Sequence, residues 1–262
     1  MDRSKTVRPL GIVSALPEEM GGLGLALEKG ELVEAAGYHF HHGRVDGHPV
    51  VLAEAGCGKV ATAIVASLLA DRFGCAGLVF SGVAGGLDPA LPVGAVLLAE
   101  RLAIHDYGVI AARRFTPTAS GQIPIGAPEL TALPAVRPEV AAAFARLEAA
   151  VADQLGHPIR RGGIVTADYF LNCAETRDGL RDRFAAEAID IESGAIQQVA
   201  DAWDRPLYVI RTLSDLAGEE SHVTYGQMAL MAAQNSALCV TGLLAILKGG
   251  ADGSGALISI VP

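Results

Sequence analysis

The chain has 262 residues, 51% of them hydrophobic, and carries a formal net charge of −9 at pH 7. That length and apolar content suffice for a well-buried core in one large α/β domain or two small ones. The acidic balance argues against a nucleic-acid partner, and the basic pairs Arg113-Arg114 and Arg160-Arg161 are too short to form a track.

Residues 1–9 are polar, lack an apolar signal-peptide core, and read as an N-terminal extension. Residues 10–16, "LGIVSAL", read as a buried strand, and 49–56, "PVVLAEAG", as another. Between them "YHFHH" lies in a region like a two-stranded hairpin. No carboxylate-rich partner accompanies its histidines, so a solvated strand is favoured over a metal site. Residues 59–74 show helical spacing and end in Gly, as a C-cap requires. Residues 76–86, "AGLVFSGVAGG", form an apolar strand running into glycines, and 94–105 form a further strand. Residues 106–136 lack periodicity and are rich in Pro, Gly, Thr and Ser, which suggests a functional loop or an interface arm. A helix is expected at 138–156, with Pro at its start and Gly at its end. The remaining expectations are a strand at 160–170, a helix at 174–187, a short strand at 188–191, a helix at 193–203, the strand "PLYVIRTLSD", and a helix at 225–248. The apolar stretch 228–247 contains Gln234, Asn235, Ser236 and Thr241, so it reads as a buried terminal helix rather than a membrane span. Residues 249–262 form a tail whose "ALISIVP" either adds an edge strand or stays loosely ordered.

Continuous apolar strands between helices indicate an α/β fold with a largely parallel sheet covered on both faces. The four cysteines, at 57, 75, 173 and 239, have no CxxC spacing and read as reduced thiols, mostly packing residues, in a cytoplasmic protein. "GCGK" is not a Walker loop, because Ala53 and Val60 stand where Gly and Ser or Thr are needed. "SGVAGG" is not GxGxxG. Both still place glycine at a strand end, where backbone approaches a ligand or simply turns.

The carboxylates are more informative. Glu18 and Glu19 follow the first strand, Asp190 and Glu192 end a short strand, and Asp215 ends "PLYVIRTLSD". In open α/β sheets ligands bind beyond the carboxyl ends of the strands. A single such acid is better read as a helix cap. Three acid-bearing strand ends favour convergence on one cleft. Glycosidic cleavage would use such a set: an acid for the leaving group, negative charge beside an oxocarbenium-like sugar, and a base for water.

The ordered motifs "GIVSALPEEM", "GCGKVATA", "SGVAGGLDPALPVGAVLL", "HDYG", "TADYFLN", "IDIESGAI" and "RTLSDLAGEESH" resemble the nucleoside phosphorylase/nucleosidase superfamily. The likeness is closest to bacterial 5′-methylthioadenosine/S-adenosylhomocysteine nucleosidases and runs from about residue 10 to 248. It implies one three-layer α/β/α domain over 10–248, with a twisted mixed, largely parallel sheet. It further implies a small-molecule nucleoside substrate, no cofactor and a homodimer. By this resemblance Glu19 activates the attacking water, Glu192 binds the ribose hydroxyls and supports the cationic sugar, and Asp215 protonates adenine N7. Ser214 orients Asp215, Arg211 lies near the water, Phe170 stacks on the purine, the Leu171 backbone meets the base edge, and Tyr225 lies near the 5′ pocket. Val83 replaces a common Ser, and Ile191 a common Met. "SALPEEM" places negative charge where many phosphorylases bind phosphate, which favours hydrolysis over phosphorolysis. Residues 106–125 differ from the usual form, so the 5′-substituent stays open, with Arg113, Arg114 and Phe115 as candidates for contacting it.

Overall fold

Runs of apolar residues become strands buried on both faces, and amphipathic helices supply the cover. The computed structural model describes residues 7–218 and 221–251. In chain order the elements are β1 (Leu10–Ser14), α1 (Pro17–Ala26), β2 (Glu28–Ala35), β3 (Tyr38–Val45), β4 (His48–Glu54), α2 (Lys59–Asp71), β5 (Gly77–Gly86) and β6 (Val96–Ile104). There follow β7 (Gly108–Ala111), β8 (Arg114–Pro117), α3 (Pro138–Val151), a 3-10 turn (Ala152–Gln154), β9 (Ile159–Thr166), α4 (Ala174–Phe184), β10 (Ala188–Asp190), α5 (Ser193–Ala202), β11 (Leu207–Asp215) and α6 (Ser221–Ala251). The tail expected from 249 is helical as far as Ala251; the segment 256–262 lies outside the described residues.

A nine-stranded mixed sheet has the order β10-β9-β6-β11-β5-β1-β4-β3-β2. Strands β4, β1, β5 and β11 run parallel to one another; β3 pairs antiparallel with β4, and β6 turns the direction by pairing antiparallel with β11. Every residue of β11 is buried. Leu207 and Val209 pack with Val65 and Leu69 of α2 and Ile196 of α5. Tyr208 and Ile210 face the other way, onto Phe144 of α3 and Val240 and Leu243 of α6. Each such large apolar side chain contributes roughly 1.5–3 kcal/mol by leaving water. The result is a single-domain, three-layer α/β fold.

The polar residues inside α6 bind the sheet. Ser236 Oγ donates to the Gly82 carbonyl at 2.9 Å and meets Thr212 Oγ1 at 2.7 Å, while Asn235 Nδ2 donates to the Gly94 carbonyl. Among the described residues no helix is long and apolar enough to cross a membrane.

Residues 106–136 are not wholly irregular, because β7 and β8 form a hairpin within them. Its loop, Ala112 and Arg113, has φ of 48° and 64°, positive at both positions as a type I′ turn demands.

Candidate active site

Glu19 stands in the first turn of α1, just beyond β1. Its Oε2 accepts the amides of Ala15 and Leu16 at 2.8 and 3.0 Å, and its Oε1 accepts the Val83 amide at 3.0 Å. The carboxylate therefore caps its own helix and also clamps α1 to β5. Capping and site membership are compatible here. A Cβ on Gly82 would overlap both Glu19 Oε1 and Arg211 Nη1, so only glycine lets these groups meet above β5.

Arg211 is wholly buried, with its guanidinium 3.7 Å from the Phe80 ring centroid. Its Nε and Nη2 donate to Asp190 Oδ2 at 3.0 and 2.9 Å, and Nη2 also reaches Glu192 Oε2 at 3.0 Å. Its Nη1, buried without a partner among the described residues, lies with Glu19 Oε1 above Gly82, and the side chain stands behind the residues that line the cavity. Asp190 is likewise no free acid, being engaged by Arg211, Thr166 Oγ1, and the Ser193 amide and hydroxyl. A buried arginine requires such a partner. Glu192 keeps one oxygen on Arg211 and gives the other to the Gly58 amide at 3.1 Å. Burial pushes its pKa up to about 7, with Arg211 pulling the opposite way.

Glu192 lies, as expected, just beyond the carboxyl end of a short strand, β10, which runs parallel to β9. Strand β10 runs antiparallel to β5, pairing Ala188 with Gly86 and Ile189 with Gly85. The far edge of the sheet thus folds back over the end of β5 and brings Glu192 to the acids of β1 and β11 from the opposite direction.

Asp215 accepts the Ala217 amide at 2.8 Å through Oδ1 and the Ser214 hydroxyl at 3.0 Å through Oδ2. Burial raises its pKa, and the hydrogen bonds from Ala217, Ser214 and Ser221 moderate the rise. A cavity of about 370 Å³ brings these groups together: Glu19, Glu192, Ser214, Asp215, Val83, Ile191, Phe170 and Leu171 all line it. Phe170 is 47% exposed on the loop after β9. Tyr169, Cys57 and His222 also line it and were not singled out as site residues from the sequence. The packing role expected of the cysteines fits Cys75 and Cys239, which are buried, whereas Cys57 and Cys173 are exposed. The Tyr225 side chain lies outside the described residues. Arg114 approaches Glu129 at 3.8 Å on the surface, and none of Arg113, Arg114 and Phe115 lines this cavity. Among the described residues no three His, Cys, Asp or Glu side chains are grouped to hold a metal.

The model of the phosphorylase superfamily matches residues 9–245. A curated 5′-methylthioadenosine/S-adenosylhomocysteine nucleosidase from Mycobacterium tuberculosis is 37% identical, the match spanning 91% of this chain and 97% of the relative. Its counterpart in Geobacillus thermodenitrificans is 35% identical over 90% of this chain and 96% of its own length. Among solved structures, the nucleosidase of that name from Colwellia psychrerythraea, in complex with adenine, superposes with a TM-score of 0.80 at 32% identity, covering 91% of this chain and 95% of that one. The futalosine hydrolase of Helicobacter pylori superposes with a TM-score of 0.78 at 27% identity, covering 92% and 99%.

Proposed function

From the premise that this chain belongs to the phosphorylase superfamily, we propose that it hydrolyses the N-glycosidic bond of an adenine nucleoside of the 5′-methylthioadenosine or S-adenosylhomocysteine type. The products are adenine and a 5′-substituted ribose. The observation that carries this reading is the meeting of Glu19, Glu192 and Asp215 around one cavity.

Each carboxylate has an environment suited to a separate task. Adenine leaves poorly as an anion, so a positioned acid at N7 lowers the barrier. Burial raises the pKa of Asp215, which favours the protonated form that such an acid must supply. Glu192 binds the ribose hydroxyls. Arg211 favours its ionised form, and positive charge developing on the sugar favours it further. Glu19, held by three amides with the Arg211 guanidinium nearby above Gly82, orients and activates water. Phe170 stacks on the base, the Leu171 backbone meets its edge, and Ser214 orients Asp215. Val83, Ile191 and Tyr225 border the sugar and its 5′ end, and Arg211 acts through Glu192.

Glu19 also bears on the choice between water and phosphate. Its negative charge faces the cavity, which would repel a dianion. The test is base release from a panel of 5′-substituted adenine nucleosides, with and without phosphate. Phosphate-independent release of free ribose product is expected; a phosphate requirement with pentose 1-phosphate as product would overturn hydrolysis. Asp215→Asn should lower kcat about 10²–10⁴-fold, and near-normal turnover would remove the acid assignment. The likeness to a futalosine hydrolase favours a second reading of the substrate, and adding futalosine to the panel decides it.

The working unit is a cytoplasmic homodimer on this reading. Exposed Val60 and Ile64, one turn apart on α2, together with Ile110 on the β7–β8 hairpin, are apolar groups that a second copy would cover. Sedimentation equilibrium reads this directly.

A further inference from the structure

We propose that Lys59, Asp106 and Asp168 form a positioning brace that ties the loop carrying Phe170 and Leu171 to the helix end holding Glu192, so that base and sugar are gripped as one unit. The proposal rests on reading the cavity as a nucleoside site.

The geometry begins at the N-terminus of α2, where amides lack intrahelical partners and favour negative charge. Two consecutive amides there serve two carboxylates. Gly58 donates to Glu192 Oε1 at 3.1 Å, and Lys59 donates to Asp168 Oδ1 at 3.0 Å. The Lys59 ammonium then bridges Asp106 Oδ1 at 2.6 Å and Asp168 Oδ2 at 3.3 Å. The Asp168 amide donates to Asp106 Oδ2 at 2.9 Å. Both oxygens of each aspartate are therefore used. One residue on, Tyr169 Oη meets His105 Nε2 at 2.9 Å, and the His105 amide donates to the Thr166 carbonyl. Segments 105–106 and 166–169 are thus tied at several points to each other, and through Lys59 to α2.

The loop needs such ties. Between the end of β9 at Thr166 and the start of α4 at Ala174 it has no regular secondary structure. Asp168 leads directly to Phe170 and Leu171 at the cavity. Release of the brace would let the stacking surface drift relative to Glu192. An interaction made alike with substrate and transition state would be lost, and that raises KM more than it lowers kcat. An ordinary surface ion pair would leave KM alone.

The test compares wild type, Lys59→Met, Lys59→Arg and Asp106→Asn, each shown to be folded by its thermal melt. Lys59→Met should raise KM for the nucleoside about tenfold with kcat changed by less than about threefold. Asp106→Asn should move KM the same way by less, and Lys59→Arg should restore most of the loss. Hydrogen exchange on the ligand-free proteins should show faster exchange of amides 168–171 in Lys59→Met than in wild type. If KM and exchange both match wild type in folded Lys59→Met and Asp106→Asn, the brace is overturned. If wild type releases no base while the exchange difference is present, the nucleoside reading fails and the mechanical tie stands.

Discussion

The site is flanked by two clusters of the same composition, each a cation between two carboxylates. In one, Arg211 joins Asp190 and Glu192 with side-chain exposures of 0%, 1% and 6%. In the other, Lys59 joins Asp106 and Asp168 with exposures of 19%, 23% and 50%. Burial separates their roles. Inside the sheet, desolvation makes each charge depend on its partners, and the planar guanidinium fixes two carboxylates in one geometry. That suits a carboxylate which must await a cationic sugar. At the surface, water screens the ammonium, which suits adjustable positioning of a loop.

The largest effect expected from breaking this contrast is at Arg211. Arg211→Met leaves Asp190 and Glu192 without their buried cation and should destabilise the fold by about 3–5 kcal/mol, read by urea denaturation at pH 7.5. A loss as small as that of a surface pair would mean that water already reaches this cluster.

Next in size is the pH dependence of Glu192. Its pKa is raised from an ordinary 4.5 to about 7. Between those values the folded chain keeps a proton that the unfolded chain has lost. The associated stability is full below 4.5 and is lost as pH rises through about 7. Glu192→Gln removes that slope. Its stability relative to wild type should therefore grow by on the order of 1–3 kcal/mol from pH 4.5 to 7.5. A relative stability that stays flat or falls over this range would show Glu192 to be ionised throughout.

The two clusters also differ in how far the sequence discloses them. Strand β11 is evident because all its residues, apart from the functional Arg211, Ser214 and Asp215, suit a two-sided core. Asp215 and Glu19 follow apolar runs directly, so their place at strand ends is legible. The partners are not. The Gly58 amide meets Glu192 across 134 residues, and no local pattern encodes that contact. Asp190 and Glu192 look alike in "IDIES" and both pair with Arg211 and line the cavity, yet Asp190 is held further by Thr166 and Ser193 while Glu192 reaches the Gly58 amide; the local pattern does not distinguish them. The β7–β8 hairpin escapes notice because Ala112 and Arg113 occupy a turn usually marked by Asn or Gly. By contrast, Asp46 and Gly47 mark the β3–β4 turn in the expected way.

The smallest expected effect concerns salt. The Debye length falls from about 10 Å at 0.1 M to about 3 Å at 1 M, and exposed pairs are screened first. Lys59→Met should thus lower stability by no more than about 1 kcal/mol at low ionic strength, and by less at 1 M. Arg211→Met should lose nearly the same stability at both, because salt does not enter its cluster. Differential melting of both variants against wild type across this range measures the two slopes together. A steep salt slope at Arg211, or none at Lys59, would reverse the assignment of roles by burial. Under the first outcome Glu192 would be a solvated carboxylate. Under the second, the Lys59 brace would act through the fixed geometry of its hydrogen bonds, with charge as a minor part.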